Sequence, residues 1–214
     1  MSTIMEVTKE INLSFAKLAS NEQIELTRQA LEANGIHTLI AENGEQARKL
    51  FFELVPEGTQ VHQGASATLE ILGITAEIET SGRFDSIRPK LRSLDRQTQG
   101  DEIRRLGASP DIMVGSVQAV SQDGHVIVAS AGGSQLGPYV SGAGKVVWVV
   151  GAQKLVKDLS EGFRRIEEYT FHLEDARAQK AYGGMHTSLN KLLIINKERP
   201  GRITMIIVKE PLGF

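Results

Sequence analysis

Short apolar runs and stripes of helical period take turns along this 214-residue chain. The most informative stretch is residues 111–157. Ile112-Met113-Val114 is an apolar run that stops at Gly115-Ser116. Residues 117–121 alternate, Asp123-Gly124 comes next, and residues 125–130 alternate again. An Asp-Gly pair between alternating runs predicts a β-hairpin with a type I′ turn, whose two central residues both need positive φ. That turn sets Ala119 opposite Val128 and Val120 opposite Ile127. Residues 146–150 are continuously apolar, the pattern of a strand covered on both faces. The run ends at Gly151, and Leu155, Leu159, Phe163 and Ile166 then recur at helical spacing, which predicts an amphipathic helix over residues 152–169.

The flanks are read in the same way. Residues 3–34 predict two helices. Ile11, Phe15 and Leu18 form the stripe of the first, Ser20 and Gln23 the capping box of the second, and Asn34-Gly35 its stop. This pair could cover a sheet edge or mediate dimerisation. A strand over 36–41 leads to a helix capped by Asn43, with Ala47, Leu50, Phe51 and Leu54 facing the core. A strand over 59–62 turns through Gly64 and Ser66 into a short helix. Ile74, Ala76 and Ile78 alternate as in a strand. Residues 170–191 look irregular, and the apolar runs at 192–196 and 203–208 predict a C-terminal hairpin turning at residues 198–201.

Alternating strands and helices of this length predict an α/β fold. Small-residue loops then become informative. They let a ligand approach the backbone and leave N–H groups able to meet an anion, and in open α/β sheets the ligand sits at the carboxyl ends of the strands. The site residues expected on this basis are Gly64, Ser66, Gly115, Ser116, Ser130, Gly132, Gly133, Ser134 and Gly151, with Lys154 and Asn190 as polar members. Lys154 either faces an anion held by these loops or is solvated, because a cation near a helix start does not complement the dipole. His62, alone at a strand end, is read as structural, and the basic stretch Arg83, Arg88, Lys90, Arg92 and Arg96 as a solvated helix face with Asp95, Asp101 and Glu102 compensating.

Composition narrows the classes. The formal net charge of −2 gives no basic field for nucleic acid. No apolar run approaches the ~18 residues of a membrane span, and the first residues lack the apolar core of a secretory signal. A cytoplasmic protein is expected. The chain has no cysteine, so disulfides, thiol catalysis and clusters held by its own thiolates are ruled out. The five scattered histidines suggest no metal site. There is no phosphate-binding Gly-Lys-Ser/Thr loop, no dinucleotide fingerprint and no nucleophile-elbow serine, so no cofactor is expected and no reaction is legible.

Residues 115–120, Asp123-Gly124, residues 129–135 and residues 149–156 together resemble the LUD-domain family, which includes the lactate-utilisation protein C type. Residues 206–214 resemble the family's final strand. The resemblance implies a mostly parallel sheet flanked by helices, of the NagB/RpiA/CoA-transferase-like type shared with formyltetrahydrofolate cyclo-ligase. The whole chain, 1–214, would be one such domain, with 1–34 a helical extension packed on it. The resemblance also implies an accessory, non-redox part in L-lactate oxidation to pyruvate beside iron–sulfur subunits, with a Gly/Ser-lined pocket for a small anionic metabolite. Larger members bear cysteine clusters, and some relatives carry cysteines where this chain has residues 183–191. Electron transfer would therefore belong to a partner. Two alternatives stand beside this role: an enzyme of the CoA-transferase or cyclo-ligase type acting on an anionic metabolite, and a metabolite-binding sensor module. Whether the chain is an enzyme, and whether it is a homo-oligomer, stays open.

Overall fold

A computed structural model describes residues 11–214. One six-stranded sheet is parallel throughout, in the order β1 (His37–Ala41), β10 (Ile203–Val208), β7 (Lys145–Gly151), β4 (Ile112–Gly115), β2 (Gln60–Gln63) and β3 (Asp85–Ser86). The continuous apolar run of β7 is explained by burial on both faces. Val146, Trp148 and Val150 face a core shared with Met113, Met205 and the Ile24 and Leu31 side chains of α1 (Asn21–Ala33). Val147 and Val149 face the opposite core, which holds Ala47 and Phe51 of α2 (Gly44–Leu54), Leu69 of α3 (Ala67–Ile71), and Ile74 and Ile78 of α4 (Ile74–Thr80). Burying each such side chain is worth roughly 1.5–3 kcal/mol. The sheet with helices on both faces is the expected α/β arrangement.

A second sheet grows from the carboxyl edge of the first. Its order is β8 (Leu155–Val156), β5 (Ala119–Ser121), β6 (Val126–Ser130) and β9 (Lys191–Ile195). The neighbours β4 and β7 continue into β5 and β8, which are again parallel neighbours. One face of this second sheet joins the core under α1. The other, with Ala119 and Ile127, packs on α7 (Leu159–Arg165). Gly162 makes that contact close, since a Cβ there would run into the Ile127 side chain. Helical backbone continues through a π turn, Ile166–Thr170, into α8 (Phe171–Ala181). The short helices α5 (Ile87–Ser93) and α6 (Gly100–Ala108) close the far edge beside β2.

Several expectations are corrected. Of the first expected helix, residues 3–10 lie outside the described residues. The remainder is a single 3-10 turn, Leu13–Ala16, in which Phe15 is buried while Ile11 and Leu18 are exposed. The loops expected on one sheet belong to two. The hairpin turn is not type I′, because among the described residues only glycines have positive φ. Gly124 alone is left-handed (φ 82), its N–H donates to the Ser121 carbonyl, and the Ser121 N–H donates to the His125 carbonyl. This type I turn with a glycine bulge takes up one extra residue, so Ala119 pairs with Ile127 and Val120 with Val126. The shift matches the cores. Ala119 and Ile127 share one, Val120 and Val126 the other, and pairing one residue out would set members of different cores opposite each other.

Ile74, Ala76 and Ile78 lie on a helix, where Ile74 and Ile78 stand four apart on its buried side. The expected helix over 152–169 begins only at Leu159, where the Asp158 side chain accepts from the Glu161 N–H (2.9 Å). Leu155 is in strand β8 and packs in a different core from Leu159 and Phe163. The stretch 170–191 contains α8. There is no C-terminal hairpin: β9 pairs antiparallel with β6, while β10 runs parallel between β1 and β7.

Candidate functional site

A cavity of about 330 Å³ opens where the two sheets part. Its floor is the carboxyl edge of the parallel sheet. The loop after β2 brings Ser66, the first turn of α3 brings Thr68, the residue after β4 is Ser116, and the 3-10 turn after β7, Ala152–Lys154, brings Lys154. The end of β6 and its loop supply Ser130, Gly132, Ser134 and Gln135. The helical wall presents Thr170, Glu174 and Arg177, and His186 stands on the segment beyond.

Lys154 is the chemical centre. The residue is 2% exposed, yet it belongs to the cavity lining. Nζ lies 3.0 Å from Ser116 Oγ and 3.1 Å from Thr68 Oγ1. Thr68 donates to the Leu212 carbonyl (3.1 Å), which also accepts from Gln153 Nε2 (3.0 Å). The C-terminal segment and the strand ends are thereby tied around the amine. Burial, and then the positive charge of Arg165, hold Lys154 well below the ordinary lysine range.

Arg165 is fully buried behind the cavity. Its Nε donates to the Gln153 carbonyl (3.3 Å), and its Nη1 to the Gln118 carbonyl (2.5 Å) and Thr170 Oγ1 (2.7 Å). Its Nη2 is buried without a hydrogen-bond partner, and burial lowers it to about 10. Among the described residues, no carboxylate pairs with Lys154 or Arg165. The helical wall and the segment beyond it hold paired groups. Arg177 holds Glu174 through two bonds of 2.7 Å, and Asp175 holds His186 at 2.8 Å. The basic stretch is paired with other acids than those expected, Arg83 with Glu57 and Glu77, Arg88 and Arg92 with Glu79, and Lys90 with Asp85.

Of the residues singled out in sequence, Ser66, Ser116, Ser130, Gly132, Ser134 and Lys154 line this cavity. Gly64, Gly115, Gly133, Gly151 and Asn190 do not. Gly64 sits at the mouth, 3.7 Å from the Gln135 Cβ at its would-be Cβ. Gly115 is small because the Tyr139 hydroxyl occupies the place of a Cβ, and Gly151 because the backbone around Glu210 and Leu212 crosses it. Gly133 turns the chain at φ 86. Asn190 reaches the Ala131 carbonyl at 3.4 Å from the rim. Lys154 is neither solvated nor in a helix's first turn. His62 lies outside the cavity, buried, and lowered to about 4 by burial and by Arg88. Sequence reading missed Thr68, Gln118, Gln135, Thr170, Arg165 and Arg177. Thr68 could have been found from its place two residues after Ser66, in the first turn of the helix that Ser66 caps, whereas Arg165 carried no local signal. Among the described residues, no group of three or more His, Asp or Glu side chains is placed to hold a metal ion, and no helix is long and apolar enough to cross a membrane.

Comparison with known proteins gives the class. The family model of the LUD domain matches residues 24–211, and the chain belongs to that family. Among solved structures, it is similar to a DUF162 family protein from Deinococcus radiodurans, at 14% identity and a TM-score of 0.52, over 90% of this chain and 99% of that one. Fainter likenesses are to ribose 5-phosphate isomerase from Plasmodium falciparum (15% identity, TM-score 0.33, 53% of this chain and 52% of that one) and to eIF2B beta from Chaetomium thermophilum (15%, 0.39, 72% and 45%). No curated protein matches the chain.

Proposed function

We propose that this LUD-domain chain binds a small carboxylate at Lys154 and acts as an accessory, non-redox component of L-lactate oxidation to pyruvate in the cytoplasm. The observation that carries the reading is the buried Lys154 amine, which belongs to the cavity lining and, among the described residues, is bonded to two hydroxyls and to no carboxylate. Burial without a counter-charge disfavours the protonated form of the amine. A carboxylate entering the cavity would supply the missing charge, accept from Nζ, and take further bonds from Ser116 and the serines of the β6 loop. A cavity of about 330 Å³ suits a small metabolite. The family's association with lactate utilisation makes L-lactate and pyruvate the first ligands to try. With no cysteine in the chain, the electrons would be carried by iron–sulfur partner subunits.

Equilibrium dialysis with labelled pyruvate and L-lactate tests the binding. Saturable uptake that disappears in Lys154→Met is the expected result. Absence of uptake of either acid, or uptake unchanged by the substitution, refutes it. Purification from the native host should bring iron–sulfur proteins with the chain, and their consistent absence from lactate-grown cells would remove the accessory role.

A further inference from the structure

The cavity holds a feature that carboxylate binding alone does not require. Ser116 and Lys154 stand as nucleophile and base do in serine–lysine acyl-transfer sites. Ser116 Oγ lines the cavity, is partly exposed, and lies 3.0 Å from Lys154 Nζ. A positioned base within hydrogen-bond reach of a hydroxyl is the geometric condition for activating it. We propose that Ser116 is an acyl-accepting nucleophile with Lys154 as its general base, and that the chain cleaves an activated acyl group, an ester or thioester of a small acid. The inference rests on the same cavity as the carboxylate reading and deepens it, since the carboxylate becomes the product of the reaction.

The surroundings assign the roles. Thr68 also touches Lys154, but it is 1% exposed and its hydroxyl proton is given to the Leu212 carbonyl. Its oxygen therefore receives an N–H from Lys154 and holds the amine in place. Both residues line the cavity, and Ser116 is the partly exposed one. Burial keeps the amine's lone pair available at a lower pH than a solvent lysine allows. Arg165 fixes the two loops that carry the pair, because the carbonyls it binds belong to Gln153, next to Lys154, and Gln118, two residues beyond Ser116. It touches neither reacting atom and is a positioning residue.

The step balances without an oxidant or reductant. Ser116 Oγ bonds to the carbonyl carbon as Lys154 takes its proton. The bond from that carbon to the leaving oxygen or sulfur breaks, and the leaving group departs with the proton from Lys154. Water then attacks the acyl-serine, giving a proton to Lys154. The bond to Ser116 breaks, and Ser116 Oγ takes that proton back. The released acid ionises onto the amine, which leaves a carboxylate beside a protonated Lys154.

The test is p-nitrophenyl acetate with the whole chain, Ser116→Ala and Lys154→Met, with nitrophenolate release followed in time and the acetylated residue located by peptide mass mapping after acid quench. A burst stoichiometric with protein, with the acetyl group on Ser116, is expected. Ser116→Ala should abolish that burst, and Lys154→Met should slow it by about 10²–10⁴-fold. Ser116→Ala deletes one oxygen at the cavity surface and decides the matter even if Lys154→Met fails to fold. Acetyl on Lys154 or elsewhere, a burst surviving in Ser116→Ala, or no burst from the native chain overturns the proposal. A native chain that takes up pyruvate but is never acetylated at Ser116 loses the acyl chemistry and keeps the carboxylate site. Acetylation at Ser116 without carboxylate uptake does the reverse.

Discussion

Replacing Lys154 by methionine should change how stability depends on pH. In the folded chain, burial and Arg165 hold the Lys154 amine well below its ordinary value of 10.5. Unfolding returns it to water. Between the folded value and 10.5, the unfolded chain therefore binds more protons, and the free energy of unfolding rises with pH by up to about 1.4 kcal/mol per pH unit. Below the folded value both states are protonated and the slope vanishes. The other lowered groups titrate outside the neutral-to-mildly-alkaline window, His62 between about 4 and 6.5 and Arg165 between about 10 and 12.5. In the cavity wall Glu174 is bonded to Arg177, and His186 to Asp175 behind it. Urea unfolding from about pH 8 to about pH 10, the range just below the ordinary lysine value, read by the fluorescence of the buried Trp148, measures the slope. A positive slope in the native chain that is lost in Lys154→Met is expected. A native slope near zero, or an equal slope in both proteins, refutes the account of a buried, unpaired amine.

The geometry sets three further outcomes. His62 is neutral and buried at neutral pH, so its contribution is complete above 6.5 and is lost as pH falls through about 4, at a cost of up to about 3 kcal/mol; acid unfolding of His62→Phe should be shallower than that of the native chain. Gly115→Ala should cost about 1–3 kcal/mol by driving a methyl group into the Tyr139 hydroxyl, and Tyr139→Phe in the same chain should restore much of that, giving a measurable coupling in a double-mutant cycle. Ser20→Ala removes one half of the α1 capping box, in which Ser20 Oγ accepts from the Gln23 N–H (3.2 Å) and Gln23 Oε1 from the Ser20 N–H (2.8 Å); thermal unfolding should show a loss of about 1 kcal/mol.

Where one physical cause controls the local structure, the sequence is readable. The α1 capping box, the Asn43 cap of α2 and the apolar run of β7 are of this kind. Errors arise where two structures share a pattern. Ile74 and Ile78 fit alternation and helical spacing alike, and only the core they fill selects the helix. Leu155 extends the stripe of α7 by coincidence, while its backbone pairs with Val120 in a sheet. Runs 192–196 and 203–208 are close in sequence, but β10 is buried on both faces of the parallel sheet and β9 has a partly exposed face, so they cannot be partners. The polar α8 has little periodic signal because only Ala178 is fully buried along it. At the site, small residues mark the loops but not their purpose. Gly115 and Gly151 make room for protein atoms, whereas Gly132 borders open space. The pairing of Lys154 with Ser116 and Thr68 joins residues far apart in the chain, so no local pattern announces it.

The central claim, that a small carboxylate binds Lys154 and restores its charge, is tested most directly by calorimetric titration of pyruvate in two buffers of different ionisation enthalpy. Binding should draw up to about one proton from solution, because the bound anion returns the lowered amine to its protonated form. The heats should therefore differ between buffers, and Lys154→Met should abolish both the binding and the difference. Binding with equal heats in the two buffers, or binding unaltered by the substitution, contradicts the claim.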